Sequence, residues 1–554
     1  MPESMPESTS GSMPGLMQDW QLLVSKILVH AEVNHPKREI VSMLPEGGQF
    51  RYDYTGLAKR TRQCAQALEH LGIRQGDCVA TLAWNTHRHV EAWFGISGMG
   101  AITHTVNPRL FPEQLIYIIN HAEDKVLFLD ITFVPLVEKL AVHLKTVQHY
   151  VIMTDAAHMP ETSLENVICY EDFIQAENGE YRWPEFDEKQ ACSLCYTSGT
   201  TGNPKGVLYS HRSNYLHTMA ALSGDTLGIT STAVILPVVP MFHANAWGIP
   251  YAAAGSGAKL VLNGPHHEPD VLHQLIIEEG VSVTAAVPTI WMGMLKFLQS
   301  SGKDMGKLTT VTIGGSAAPR SMIEAFQKDY GVRVNHAWGM TETSPLGSIG
   351  SENAAVEGLS TEEKLDIQCK QGRAILGAEL CIKDDAGNIL PRDGATSGRI
   401  MVRGAWVVRE YFKGDAGTIL DDEGWFDTGD VAFFDENGYM QITDRAKDVI
   451  KSGGEWISSI DLENAAVSHP SVTEAAVIGV HHPKWDERPL LLVMLEPGAS
   501  ISYAEMNAHL VGKVAKWWLP DDLVVVDAIP HTATGKISKK DLRDQFKDYK
   551  LPTA

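Results

Sequence analysis

No stretch of this 554-residue chain approaches the eighteen or more unbroken apolar residues that a membrane-spanning helix needs. Its most hydrophobic region is interrupted by Pro237, Pro240 and His243, which argues against an integral membrane segment. Positive charge is also scarce: 46 Lys and Arg face 68 Asp and Glu, a formal net charge of −22. Such a field repels nucleic acid and anionic lipid, so any anionic substrate must be met by a local positive site. Cysteines are few and odd in number, seven of them at 64, 78, 169, 192, 195, 369 and 381, which excludes a disulfide scaffold and fits a reducing, cytoplasmic setting. Cys192-Ser-Leu-Cys195 spells C-x-x-C, but no second pair or histidine cluster completes a zinc site, so the two read as buried strand cysteines. No internal repeat is found. The N-terminus repeats Met-Pro-Glu-Ser without an apolar core, and residues 1–18 are expected to be a disordered tail rather than a signal peptide.

What is present describes a globular protein of ordinary composition, 44% hydrophobic and 21% charged, too long for a single core. Trp20 to His30 and Gly56 to Leu71 carry apolar residues at helical spacing, with a strand-like Phe50 to Thr55 between them. From Cys78 onward, short apolar runs such as Val126 to Leu129 and Tyr150 to Met153 alternate with helix-length segments, and the rhythm returns between Val234 and Ile313. That alternation predicts βαβ units on parallel sheets, an α/β fold whose ligands sit beyond the carboxyl ends of the strands. Past Gly377 the strands shorten, as at Glu379 to Lys383 and Arg399 to Arg403, which suggests a small antiparallel β-barrel. After Asp444-Arg445, helices alternate with strands Ala475 to Val480, Leu490 to Leu495 and Leu523 to Val526. A large N-terminal domain over 19–444 and a small, mobile α+β domain over 445–554 are therefore expected.

One stretch is dense in chemistry. Tyr196 to Val207 reads Tyr-Thr-Ser-Gly-Thr-Thr-Gly-Asn-Pro-Lys-Gly-Val, with five hydroxyls, three glycines and Lys205. Glycines let backbone N–H groups approach an anion, the hydroxyls of Thr197, Ser198, Thr200 and Thr201 add donors, and Lys205 supplies charge, with Gly199 at the bend. It is not a Walker loop, because Pro204 precedes the lysine and Gly206 follows it. Farther on, Gly314-Gly315-Ser316-Ala317-Ala318-Pro319 offers small residues against which a flat ligand can lie. Trp338-Gly339-Met340-Thr341-Glu342-Thr343 then puts an aromatic plane, a close-approach glycine, a hydroxyl and a carboxylate suited to Mg²⁺ into one turn.

The first of these strings resembles the phosphate loop of the ANL superfamily of adenylate-forming enzymes, which includes acyl-CoA synthetases, luciferases and peptide-synthetase adenylation domains. The other motifs extend the resemblance from about Thr55 to Ile537. It implies that Gly315, Ala317, Trp338 and Gly339 hold adenine, that Thr341 and Glu342 meet the α-phosphate and the metal, and that Thr197 shares the Mg²⁺. It implies ribose contacts from Asp430, at the end of Gly-Trp-Phe-Asp-Thr-Gly-Asp, and from Arg445. Lys447 falls where the family has its hinge, Gly453 and Gly454 where pantetheine passes, and Lys451 where a lysine faces the thioester-forming site. Lys536, in Thr534-Gly535-Lys536-Ile537, falls where a mobile lysine reaches the carboxylate and α-phosphate during adenylation. The family's aromatic is usually tyrosine where this chain has Trp338. Gly398-Arg399-Ile400 replaces the usual Gly-Glu, and Arg373-Ala374 lacks a common proline.

Pro240 to Gly248, with Gly314 to Arg320, is similar in wording to medium- and long-chain fatty acyl-CoA synthetases and to ligases for short thioether acids such as 3-methylmercaptopropionate. Trp247 is the expected acyl gate, and His243 reads equally as a structural or a substrate-facing histidine. The resemblance implies ATP, Mg²⁺ and CoA as the cosubstrates of a ligase that forms an acyl-adenylate, releases pyrophosphate and passes the acyl group to CoA. Other partners are expected to be a small carboxylic acid, with a homodimer left open and no nucleic acid. A module loading a carrier-protein thiol, a luciferase-like oxygenase and a non-catalytic nucleotide sensor are the alternatives. No acidic residue is placed to hold an amino group, the chain leaves no room for a carrier domain after Lys536, and a sensor would not need that lysine.

Overall fold

A computed structural model describes residues 15–197, 203–452, 455–532 and 536–554. Residues 1–14 of the expected tail lie outside the described residues, as do Ser198, Gly199, Thr200, Thr201, Gly453 and Gly454.

Caps and periodicity set the first elements. The helix expected from Gly56 forms as Tyr54–His70, started by Asp53, whose carboxylate accepts the Gly56 N–H at 2.9 Å and so satisfies a donor the helix leaves open. Helix His87–Gly98 starts at Thr86 in the same way and is buried along its whole length. A helix with no wet face must lie between layers. Its Trp93 stacks against Tyr251 of helix Ile249–Ser256 with ring centroids 4.4 Å apart, and each such aromatic contributes about 1.5–3 kcal/mol through burial.

Two large sheets flank this core. One runs Val167–Cys169, His149–Ile152, Val126–Leu129, Cys78–Leu82, Ile102–Thr105, Ala191–Tyr196 and Gly206–Ser210. It is parallel except for its last hairpin, Ala191–Tyr196 with Gly206–Ser210. The other has nine strands, parallel at its centre (Thr310–Ile313 between Val283–Ala286 and Arg333–Gly339) and antiparallel at both ends. Cys192 and Cys195 lie buried in their strand, and all seven thiols are free.

Where a small antiparallel barrel is expected, the chain forms an open four-stranded antiparallel sheet of Ala378–Lys383, Gly398–Gly404, Phe426–Phe434 and Met440–Arg445. Among the described residues no ladder joins its first strand to its last. Strands Val472–His482 and Asp486–Leu495 build the last sheet with Ile450–Ser452, Glu455–Ile457 and Asp522–Val525. Helix Ser459–Val467 covers it, with its N-terminus capped by Ser458. No helix among the described residues is long and apolar enough to cross a membrane.

Candidate active site

The loops after strands Ala191–Tyr196, Thr310–Ile313 and Arg333–Gly339 open onto one cavity of about 520 Å³, within the size range of small-ligand sites. Thr197, Lys205, Gly315, Trp338, Gly339, Thr341, Glu342, Arg445 and Lys536 all line it, although they span 340 positions of sequence from 197 to 536. Trp247 and His243 line it too. Ala317 lies two residues beyond Gly315 and outside the lining, and Lys447 and Lys451, both exposed, do not line it either.

The 197–205 loop is closed at its base by two bonds between its ends. The Thr197 N–H donates to the Lys205 carbonyl at 2.9 Å, and the Lys205 N–H donates to Thr197 Oγ1 at 3.2 Å. The Lys205 ammonium sits 5.0 Å from the ring centroid of Tyr411, whose hydroxyl donates to Glu342 Oε1 at 2.7 Å. One phenol thus positions both the loop cation and the carboxylate of the neighbouring turn. That turn, Thr341–Thr343, is further fixed by the Tyr209 hydroxyl on the Thr341 carbonyl at 2.6 Å and by the Val408 N–H on the Glu342 carbonyl at 2.8 Å. Neither tyrosine stands out in the sequence, because each acts from a strand or segment remote from the motif it holds. An aromatic spaced among polar residues near a motif is the only signal, and a weak one.

On the opposite wall, the Trp338 indole N–H donates to Asp430 Oδ2 at 3.0 Å, while Arg445 Nε stands 3.3 Å from Asp430 Oδ1. Asp430 is behind the lining, but its carboxylate is held between two residues that form it. Trp338 therefore has a polar task that the missing tyrosine hydroxyl does not foreshadow. The indole packs so closely on Gly347 that an added Cβ would stand 2.4 Å from the ring, and a Cβ at Gly339 would meet the Pro345 carbonyl oxygen at 2.0 Å. Under the loop of Gly314 and Gly315, the buried His336 faces the Cys369 carbonyl with Nδ1 at 3.0 Å and receives the Ala318 N–H on Nε2 at 3.4 Å. Burial holds that imidazole down at about 4, so it stays neutral. Arg399, a departure in the sequence, lines the cavity and pairs with Asp427.

A match to the AMP-binding enzyme model covers residues 28–412, and a match to the AMP-binding enzyme C-terminal domain covers residues 461–536. The chain belongs to the AMP-binding enzyme family. It is 49% identical to a 3-methylmercaptopropionyl-CoA ligase of Ruegeria pomeroyi, over 97% of this chain and 99% of that one. It is 47% identical to a medium-chain-fatty-acid–CoA ligase of Ectopseudomonas oleovorans, over 97% and 98%. The crystal structure of the anthranilate CoA ligase AuaEII in complex with anthranoyl-AMP has a TM-score of 0.84 with 26% identity, over 96% of this chain and 98% of that chain.

In this member of the AMP-binding family, the charges at the cavity are strained by burial. Lys536 is drawn down from 10.5 to about 8, first by desolvation and then by Arg445, with Asp430 and Glu342 partly offsetting the fall. Glu342 is pushed above the usual carboxylate range by burial, against the Tyr411 hydrogen bond and the charges of Arg445 and Lys536. It has no ion pair among the described residues, and with Thr197 it offers hard oxygen donors. A buried carboxylate that lines the same cavity as the Thr197 hydroxyl fits a hydrated Mg²⁺. His243 is lowered to about 4 by burial and by the charges of Lys536 and Arg109, so it meets the cavity as a neutral ring.

Proposed function

We propose that the protein joins an aliphatic or short thioether carboxylic acid to AMP, releases pyrophosphate, and then transfers the acyl group to the thiol of CoA. In class it is an AMP-forming acyl-CoA ligase, as its family membership and its curated relatives indicate. The observation that carries the reading is the meeting of Lys536, from the C-terminal segment, with Thr197, Lys205, Thr341 and Glu342 around one cavity.

The chemistry asks for such a meeting. An anionic carboxylate must approach an anionic α-phosphate, so the site has to neutralise charge and hold the line of attack. Lys536 and Thr341 face the α-phosphate, Lys205 and the 197–205 loop bind the leaving pyrophosphate, and Asp430 with Arg445 takes the ribose. Mg²⁺, when bound at Glu342 and Thr197, supplies further neutralisation of the phosphates. No side-chain nucleophile is required. The border at 444/445 and the hinge at Lys447 let the small domain turn after adenylation, replacing Lys536 by the face of Lys451, Gly453 and Gly454 for the thiol.

The acid is read from the inner wall. Leu227, Ala244, Trp247, Ala337 and Leu346 are apolar, and of the carboxylates in the lining Glu342 is taken up by the proposed Mg²⁺ and Asp427 by Arg399, which suits an uncharged acyl chain better than an amino acid. The two relatives named above favour a thioether acid of the 3-methylmercaptopropionate type or a medium-chain fatty acid. A cytoplasmic location is supported by the seven free thiols. A panel of carboxylic acids from C3 to C16, with 3-methylmercaptopropionate included, should give CoA-dependent AMP release with one or both classes. ADP formation, or no AMP with any acid, would contradict the proposal.

A further inference from the structure

Away from the adenylation cavity, three side chains from two loops converge. Glu46 lies in the turn between strands Glu39–Met43 and Gln49–Asp53, Asp155 follows strand His149–Ile152, and His158 ends the short turn Ala156–His158. A carboxylate oxygen from each acid and an imidazole nitrogen all lie within 4.8 Å of one another. The Glu46 side chain is only 2% exposed. Its Oε1 accepts from Arg88 Nη1 at 2.6 Å, while Oε2 is sealed from solvent with no hydrogen-bond partner among the described residues.

Arg88 meets only Oε1 of this carboxylate. The same guanidinium bonds Glu171 at 2.8 Å and the Met153 carbonyl at 3.0 Å, so it is shared between two carboxylates. Asp130 adds a third acid to the neighbourhood: it is fully buried, its Oδ1 also lacks a partner among the described residues, and burial together with the Glu46 charge pushes its carboxyl up to about 7. Asp155 Oδ1 accepts the His158 backbone N–H at 3.0 Å and faces His158 Nδ1 at 2.7 Å, which fixes the orientation of the ring.

We propose that Glu46, Asp155 and His158 form a divalent-cation site separate from the adenylation cavity, taking a borderline transition metal such as Zn²⁺ in preference to Mg²⁺ or Ca²⁺. Two carboxylates and one imidazole are a donor set that the all-oxygen preference of Mg²⁺ and Ca²⁺ does not match. In a tetrahedron, ligand atoms about 2.1 Å from a zinc ion stand about 3.4 Å apart. The side chains of Asp155 and His158, 41% and 49% exposed, are free to close the remaining gap, with water completing the tetrahedron. The bound ion clips the hairpin turn of Glu46 to the loop that follows His149–Ile152.

The test uses the full chain carrying Glu342→Gln, stripped with chelator, and titrated calorimetrically with Zn²⁺, Mg²⁺ and Ca²⁺. One Zn²⁺ should bind per chain, raise the thermal midpoint, and be replaceable by Co²⁺ with visible ligand-field absorption. His158→Ala and Glu46→Gln should each weaken Zn²⁺ binding at least tenfold, and His158→Ala in the otherwise native chain should leave acyl-CoA formation unchanged. Absence of Zn²⁺ binding, or equal affinity in the variants, overturns the assignment. If Glu46→Gln does not fold, the partly exposed His158→Ala decides alone.

Discussion

Lys536 is held in its buried pocket at a cost. With an ordinary value of 10.5 and a buried one of about 8, the shift corresponds to about 3 kcal/mol against the charged form. The sign follows from linkage: between about pH 8 and 10.5 the solvent-exposed lysine binds more protons than the docked one. Docking without nucleotide is therefore penalised in full below pH 8 and less and less as pH rises. ATP phosphates reverse the balance by favouring the ammonium. ATP binding near pH 8.5 is accordingly expected to take up a proton, and near pH 6.5 to take up none from this lysine. Calorimetry in buffers of differing ionisation enthalpy measures this, and an absence of uptake at the higher pH in the wild type, or its persistence in Lys536→Ala, would refute the assignment. Tyr411 gives a second residue-scale test. Tyr411→Phe keeps the ring under Lys205 and removes the 2.7 Å bond to Glu342. A hydrogen bond to a charged group is worth about 1.5–3 kcal/mol, so pyrophosphate exchange should slow about tenfold or more, with a raised Mg²⁺ requirement. An unchanged Mg²⁺ profile would remove Tyr411 from this role.

Among the elements, the segment carrying Trp247 is the least ordinary. Ala244, Asn245, Ala246 and Trp247 all have positive φ, between 42° and 58°, and Gly248 continues the left-handed turn at 72°. Each non-glycine residue there costs roughly 1–2 kcal/mol, so something must hold it. Asn245 does so from within: its Nδ2 donates to Ser193 Oγ at 3.1 Å, and its Oδ1 receives the Cys195 thiol at 3.3 Å. The Trp247 ring then lies 3.2 Å from where a Cβ on Gly314 would stand. Trp247→Ala should shift relative rates across C3 to C16 acids; an identical profile would exclude it as a gate. Asn245→Ala should release the turn and lower the thermal midpoint by several degrees, while Asn245→Asp should do so less. Equal midpoints for both variants and wild type would show that the turn is held by other contacts. Sequence reading reached Trp247 through the wording of Pro240 to Gly248, but Ala-Asn-Ala-Trp reads as right-handed helix, and only Gly248 signals otherwise. The parallel strands were legible because buried strands are unbroken apolar runs. The open sheet after Gly377 was not, since closure into a barrel depends on strand number, tilt and stagger rather than on any local pattern. Likewise Trp338 was legible as an aromatic plane, whereas its bond to Asp430 joins residues 92 positions apart.

At the scale of the whole molecule, the C-terminal segment brings Lys536 to a cavity lined from both large sheets and from the open four-stranded sheet, the meeting that the proposed adenylation step needs. The two parts also touch through Lys296 and Glu496, 2.6 Å apart, an exposed pair worth little. At the 444/445 border, buried Asp444 also accepts the Ser459 N–H at 2.9 Å, a contact that the proposed rotation must carry along or replace. The proposed rotation about Lys447 divides labour in time, with Lys536 serving acyl-AMP formation and the Lys451 face serving the thiol. That division can be read from one variant assayed in two ways. In Lys536→Ala, ATP–pyrophosphate exchange with the best acid should fall at least a thousandfold, a loss of about 4 kcal/mol of transition-state stabilisation, while CoA transfer from supplied acyl-adenylate stays within a few-fold of wild type. Equal loss in both half-reactions, or retention of exchange, would contradict the account.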